Sequence, residues 1–108
     1  MITFQNYTSA VPPPDGLQSF RFAPMPNPVG LPTRIGFAVP QREAIRIGVY
    51  DVSGRLVADV FNGVENAGLH WVAWNGTDRG NSAVGRGVYW LVARTGRQAI
   101  TKRLIFLR

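Results

Sequence analysis

Short runs of β-branched and aromatic residues recur along this chain, and all but the last are closed by Gly, Pro, Asn or Asp. No stretch sustains apolar residues at the three- and four-residue spacing of an amphipathic helix. With 12 glycines and 8 prolines in 108 residues, punctuation is dense enough to separate many short strands by tight turns. The expected class is therefore all-β, with little or no helix.

The strands can be placed one by one. The first is expected over Leu17 to Ala23, ended by Pro24-Met25-Pro26-Asn27-Pro28, whose prolines cannot donate ladder hydrogen bonds. Thr33 to Val39 comes next, with Ile35, Phe37 and Val39 on one face and Arg34, Gly36 and Ala38 on the other. Ala44 to Val52 alternates Ile45, Ile47 and Val49 against Arg46, Gly48 and Tyr50, one face buried and the other more exposed. Asp51-Val52-Ser53-Gly54 reverses the chain, because Asp accepts from amides just ahead and Gly tolerates positive φ. Arg55 to Phe61 returns, and Asn62-Gly63 reads as the next turn. Leu69 to Trp74, Val88 to Arg94 and Gln98 to Leu107 complete the set. Seven short antiparallel strands with proline crossings predict a two-sheet sandwich over residues 18–108 and not a closed barrel.

Residues 1–17 stand apart. Ile2 to Thr8 has the composition of a short strand, and Val11 to Gly16, with three consecutive prolines, is a stiff extended spacer followed by a turn. Two readings follow: a linker to a preceding domain, or an extended arm that adds a strand to a neighbouring molecule.

The order Pro26-Asn27-Pro28, Val49-Tyr50-Asp51-Val52-Ser53-Gly54-Arg55, Ala67-Gly68-Leu69-His70, Trp74-Asn75-Gly76 and Gly87-Val88-Tyr89, with a last strand running to Arg108, is similar to a known pattern. It resembles the immunoglobulin-like domain shared by the flagellar hook-capping protein and the C-terminal sorting modules of type IX secretion cargo. The resemblance covers about residues 20–108 and implies an immunoglobulin-like sandwich. It gives Asn27, Asp51, Gly54, Gly68, His70, Trp74, Gly87 and Tyr89 structural roles in turns and core. It also implies a non-catalytic sorting or anchoring module of an exported bacterial protein, placed outside the cell or on its surface. The recognition strand would be Lys102, Arg103, Leu104, Ile105, Phe106, Leu107 and Arg108. The hook-capping version points to a second expectation, a self-assembling structural subunit that docks by sheet stacking or strand addition.

Two strands refuse to alternate. Val88 to Ala93 and Leu104 to Leu107 are apolar on both faces. In an immunoglobulin-like arrangement they are neighbours beside the strand that carries Tyr50. If Tyr89, Leu91 and Ala93 face the core, as the resemblance implies, then Tyr50, Trp90, Val92, Arg94, Ile105 and Leu107 form an outer, partner-docking face. The competing expectation is that Trp90 lies flat under arginine side chains from adjacent strands. Leu69 and Trp71 raise the same question on another strand, where the resemblance implies that His70, Val72 and Trp74 point inward.

Chemistry of the catalytic kind finds little to work with. Cysteine is absent, which removes disulfides, thiolate zinc sites and thiol nucleophiles. The single histidine, His70, sits in a strand, and the six carboxylates are spread along the chain, so no nucleophile, base and orienting acid converge. The loop Asn75 to Asn81 carries one carboxylate, Asp78, and reads as a turn network in preference to a calcium site. No enzyme activity and no cofactor are expected. The formal charge of +6 comes from eleven arginines and Lys102, dispersed at about one per strand or turn. Such dispersal argues against a nucleic-acid partner. The apolar outer face and the resemblance imply a protein partner instead: a secretion apparatus, an upstream domain or a second copy. No run reaches the ~20 apolar residues of a membrane span.

Overall fold

The computed structural model describes residues 19–25, 30 and 32–107, and these form two antiparallel sheets with no helix. Seven strands follow in order: β1 (Arg21–Phe22), β2 (Thr33–Val39), β3 (Glu43–Tyr50), β4 (Leu56–Glu65), β5 (Gly68–Trp74), β6 (Gly87–Arg94) and β7 (Ala99–Phe106). One sheet has the order β1-β2-β5 and the other β4-β3-β6-β7. The chain is an all-β, immunoglobulin-like sandwich, with β4 paired to β3 instead of joining the sheet of β5. The expected arm, the strand start at Leu17, the Pro26-Asn27-Pro28 crossing and Arg108 lie outside the described residues.

The core forms where the two inner faces meet. Ile35, Phe37 and Val39 of β2 oppose Ile45, Ile47 and Val49 of β3, with Leu91 and Ala93 of β6 and Leu104 and Phe106 of β7 beside them. Each fully buried Leu, Ile, Val or Phe contributes ~1.5–3 kcal/mol of transfer free energy, so this interdigitated layer is the main stabilising term. At one end Trp74 crosses from the smaller sheet to meet Phe106 at 6.0 Å and Tyr89 at 6.3 Å between ring centroids. Its indole N–H donates to the Thr77 carbonyl, and the Tyr89 hydroxyl donates back to the Gly85 carbonyl at 2.6 Å. Tyr89 thus ties the long β5–β6 connection to the start of β6, the device known as a tyrosine corner in this architecture.

Two expectations need correction. The first strand is two residues long, not seven: Ala23 still donates to the Gly36 carbonyl, but Pro24 follows and has no N–H to offer. Asn62 and Gly63 do not turn. They lie within β4 opposite Arg46 and Ile45, and the reversal comes at Asn66 and Ala67, with Gly68 at φ 132° opening β5. Gly63 is used for space instead: a Cβ there would stand 3.3 Å from the Phe61 ring. β4 also runs past its expected end, to Glu65, and two bulges within it leave Val60 and Val57 without partners on β3, both packed against the core.

The second face of β2 is largely buried as well. Gly36 and Ala38, which alternation places outward, are buried, because the Trp71 indole lies across Gly36. A methyl group at Gly36 would sit 2.7–2.8 Å from the indole and 2.9 Å from the Ala23 Cβ. Gly36→Ala is expected to destabilise the fold by ~1–3 kcal/mol, the range for overpacking, and Trp71→Ala in the same chain to recover part of that loss. Urea midpoints of the two single variants and the double variant measure both effects; additive losses would show that the indole is not the obstacle.

Candidate docking face

Inner residues dictate the outer ones, because a strand alternates with period two. In the larger sheet the buried set Leu91, Ala93, Leu104 and Phe106 leaves Trp90, Val92, Arg94, Thr101, Arg103 and Ile105 on the other side. The ladder then sets cross-strand neighbours: Tyr50 stands opposite Trp90, and Trp90 opposite Arg103. In the next rows Val92 faces Gly48 on one side and Thr101 on the other, and Arg94 lies between Arg46 and Ala99. Trp90 is 39% exposed. Tyr50, Trp90, Val92, Arg94 and Thr101, with the turn Asp51, Val52 and Gly54, line an open hollow of about 360 Å³.

The structure brings together most of the residues expected on this face. Tyr50, Trp90, Val92 and Arg94 share it, and Ile105 stands opposite Val88 at its far end. Leu107 is exposed but lies beyond the end of β7. Within the expected recognition strand, Leu104 and Phe106 are core residues with 1% and 0% exposure, so their side chains are not presented for reading. Lys102 is on the inner side of β7, half-buried near the sheet edge; Arg103 is on the outer side and exposed. Val88 and Val52, both exposed beside this region, were missed: Val88 is hidden in an unbroken apolar run, and Val52 sits at a turn tip.

The two tryptophans differ in what covers them. Trp71, on the outer face of β5, has Gly36 beneath and the Arg34 guanidinium above, 4.7 Å from the ring centroid. The arginine contact anticipated for Trp90 is thus found at Trp71, and among the described residues no arginine is stacked on Trp90. His70 sits inward as expected, its ring 5.6 Å from that of Phe37. One imidazole nitrogen is 2.7 Å from the Asn66 carbonyl and the other 3.4 Å from the Glu65 carboxylate, which fastens the crossing from β4 to β5.

Two loops at the Tyr89 end are built alike. In Asp51 to Arg55 the carboxylate accepts from the amides of Ser53 and Arg55, the Asp51 amide donates to the Arg55 carbonyl, and Gly54 takes φ 89°. In Asp78 to Ser82 the carboxylate accepts from Gly80 and Ser82, the Asp78 amide donates to the Ser82 carbonyl, and Asn81 takes φ 67°. Asp78 Oδ1 is thus committed to backbone amides. Arg79 N–H joins the second loop to the Val57 carbonyl, beside the end of the first hairpin.

The sequence was compared with protein-family models and with curated proteins, and none matches. The fold and the face described above therefore carry the functional argument.

The Ser53 hydroxyl, at 2.6 Å, and the Arg55 amide hold the Asp51 carboxyl below its ordinary value of 3.8. A folded-state value lower than the unfolded one gives stability that is fully present above the unfolded value and is lost as pH falls through the folded one. Asp51→Asn keeps an acceptor but no charge. The stability advantage of the wild type over Asp51→Asn, read from urea midpoints, is expected to hold near neutrality and to shrink between about pH 5 and pH 2; a gap that stays constant over that range would contradict it.

Proposed function

We propose that this chain is a non-catalytic sorting and anchoring module of an exported bacterial protein, working outside the cell or at its surface and recognised through β7 and the outer face beside it. The observation that carries the reading is the position of β7. It closes the larger sheet, paired to β6 on one side only among the described strands, and it borders the exposed Trp90. The similarity of the motif order to type IX sorting domains and hook-capping domains supplies the biological setting. No helix among the described residues is long and apolar enough to cross a membrane, so anchoring in this reading rests on a protein partner.

A second reading is favoured by a different observation. Leu69 and Trp71 on the smaller sheet, and Val88 and Trp90 on the larger, give the sandwich an exposed apolar patch on each outer face. Two such patches on opposite sides suit a subunit that stacks with copies of itself.

Fusion of the chain behind a passenger with a signal peptide, in a bacterium with a type IX secretion system, tests the first reading. Passenger outside the cell is the expected result, with a several-fold drop for the outer-face variant Trp90→Lys, whose fold is checked by circular dichroism. Retention of the intact fusion in the periplasm would overturn it. Light scattering on the purified chain tests the second: a polymer supports stacking, and a monomer at high concentration removes it.

A further inference from the structure

We infer that the free edge of β7, from Ala99 to Arg103, receives an extended acidic segment of a partner protein by strand addition; this names the partner's chemistry for the sorting reading and rests on it. The described acids are already engaged within the fold. Glu43 has Arg97 at 3.6 Å, Asp51 has Arg55 at 3.4 Å, Asp59 has Arg46 at 3.9 Å and Glu65 has His70 at 3.4 Å, while Asp78 serves its own loop. The positive charge left over is spread over both sheets and the loops, at Arg21, Arg34, Arg42, Arg79 and Arg86 as well, but on β6 and β7 it stands without any acid beside it in the strand. Neither strand contains a carboxylate, and Arg94, Lys102 and Arg103 lie on them with no ion pair among the described residues.

Geometry then fixes the pattern such a partner must carry. An added strand sends alternate side chains to opposite faces of the sheet. Lys102 points to the inner side and Arg103 to the outer, so two consecutive acidic residues answer them, one on each face. Trp90 stands one strand further in, with Arg103 between it and the open edge. A second copy of this chain is a poor occupant: two-fold pairing centred on Lys102 and Arg103 would bring like charges together, and an inward-pointing charge on an edge strand blocks apolar strands in general. Partner chemistry is thus set by charge complementarity along a backbone ladder.

The test is an NMR titration of the full-length, ¹⁵N-labelled chain with a ten-residue peptide carrying a central Asp-Glu pair flanked by valine and threonine. Saturable shifts and slowed amide exchange are expected over Ala99 to Arg103. Binding is expected to weaken at least tenfold for a Lys-Lys peptide, and likewise for the Lys102→Glu/Arg103→Glu chain, whose dispersed spectrum reports that it is folded. Equal binding of an Asn-Gln peptide would overturn the role of charge. Polyuridylate binding at Trp90 without protection of the β7 amides would overturn strand addition in favour of nucleic acid. Protection of the outward β7 amides in the free chain would show the edge already occupied and overturn the inference as well. In the secretion assay, export by the doubly substituted chain would sink this inference and leave the sorting reading intact. Failure of the intact chain to export, with peptide binding retained, would do the reverse.

Discussion

The contact between Trp74 of the smaller sheet and the Tyr89 and Phe106 rings of the larger one sets the registration of the two layers. Once Phe106 and Leu104 are inside, every intervening residue of β7 is outside, since a shift by one position would exchange the two faces entirely. The same holds for β6, where burial of Leu91 and Ala93 forces Trp90 and Val92 outward. The outer face is therefore not an independent feature of the chain. It is the complement of the core, and any partner that reads it reads a surface whose spacing the core maintains.

This dependence explains what was legible in the residues alone. Alternation and turn chemistry placed six of the seven strands within a few residues, because β-branched runs and Asx-type turns act locally. The inward set of the closing strands followed from the resemblance and stands in the structure. What local patterns could not show is how a glycine is used. Asn62-Gly63 has the composition of a hairpin turn, yet Gly63 makes room for Phe61, and Gly36 makes room for Trp71. The Trp71 ring reaches Gly36 only after β2 and β5 have paired, while Phe61 lies two residues from Gly63 on the same face of β4. The two bulges of β4 escaped for the same reason, since they answer to the core volume and not to the sequence near them.

On the docking face, residue type and strand parity predicted the shared surface of Tyr50, Trp90, Val92 and Arg94, but not the fate of each tryptophan. An exposed Trp opposite an arginine in a neighbouring strand can be capped or left open, and the outcome turns on the residue beneath the ring. At Trp71 the missing side chain of Gly36 lets the indole lie down on the sheet, within reach of Arg34. Trp90 lies between Tyr50 and Arg103 on the adjacent strands, neither of them a glycine, and it keeps 39% of its surface exposed. Both rings stay partly open, Trp71 at 46% and Trp90 at 39%, so the position without a Cβ decides which ring an arginine caps and not which ring is exposed.

Charge completes the division between the two ends of the larger sheet. The β3–β4 hairpin holds acids and bases together, with Arg46 against Asp59 and Arg55 against Asp51. The β6–β7 pair holds bases alone. Exposed ion pairs contribute little stability, a median of ~0–1 kcal/mol, so this separation is a weak lever on the fold. Its larger effect is on encounter: an edge whose only charged side chains are positive favours acidic segments over a Debye length of ~8 Å at physiological salt and disfavours copies of itself. A strand edge is promiscuous in its backbone bonds, which any extended chain can make. Selectivity has to come from the side chains beside it, and on β7 those are Lys102 and Arg103.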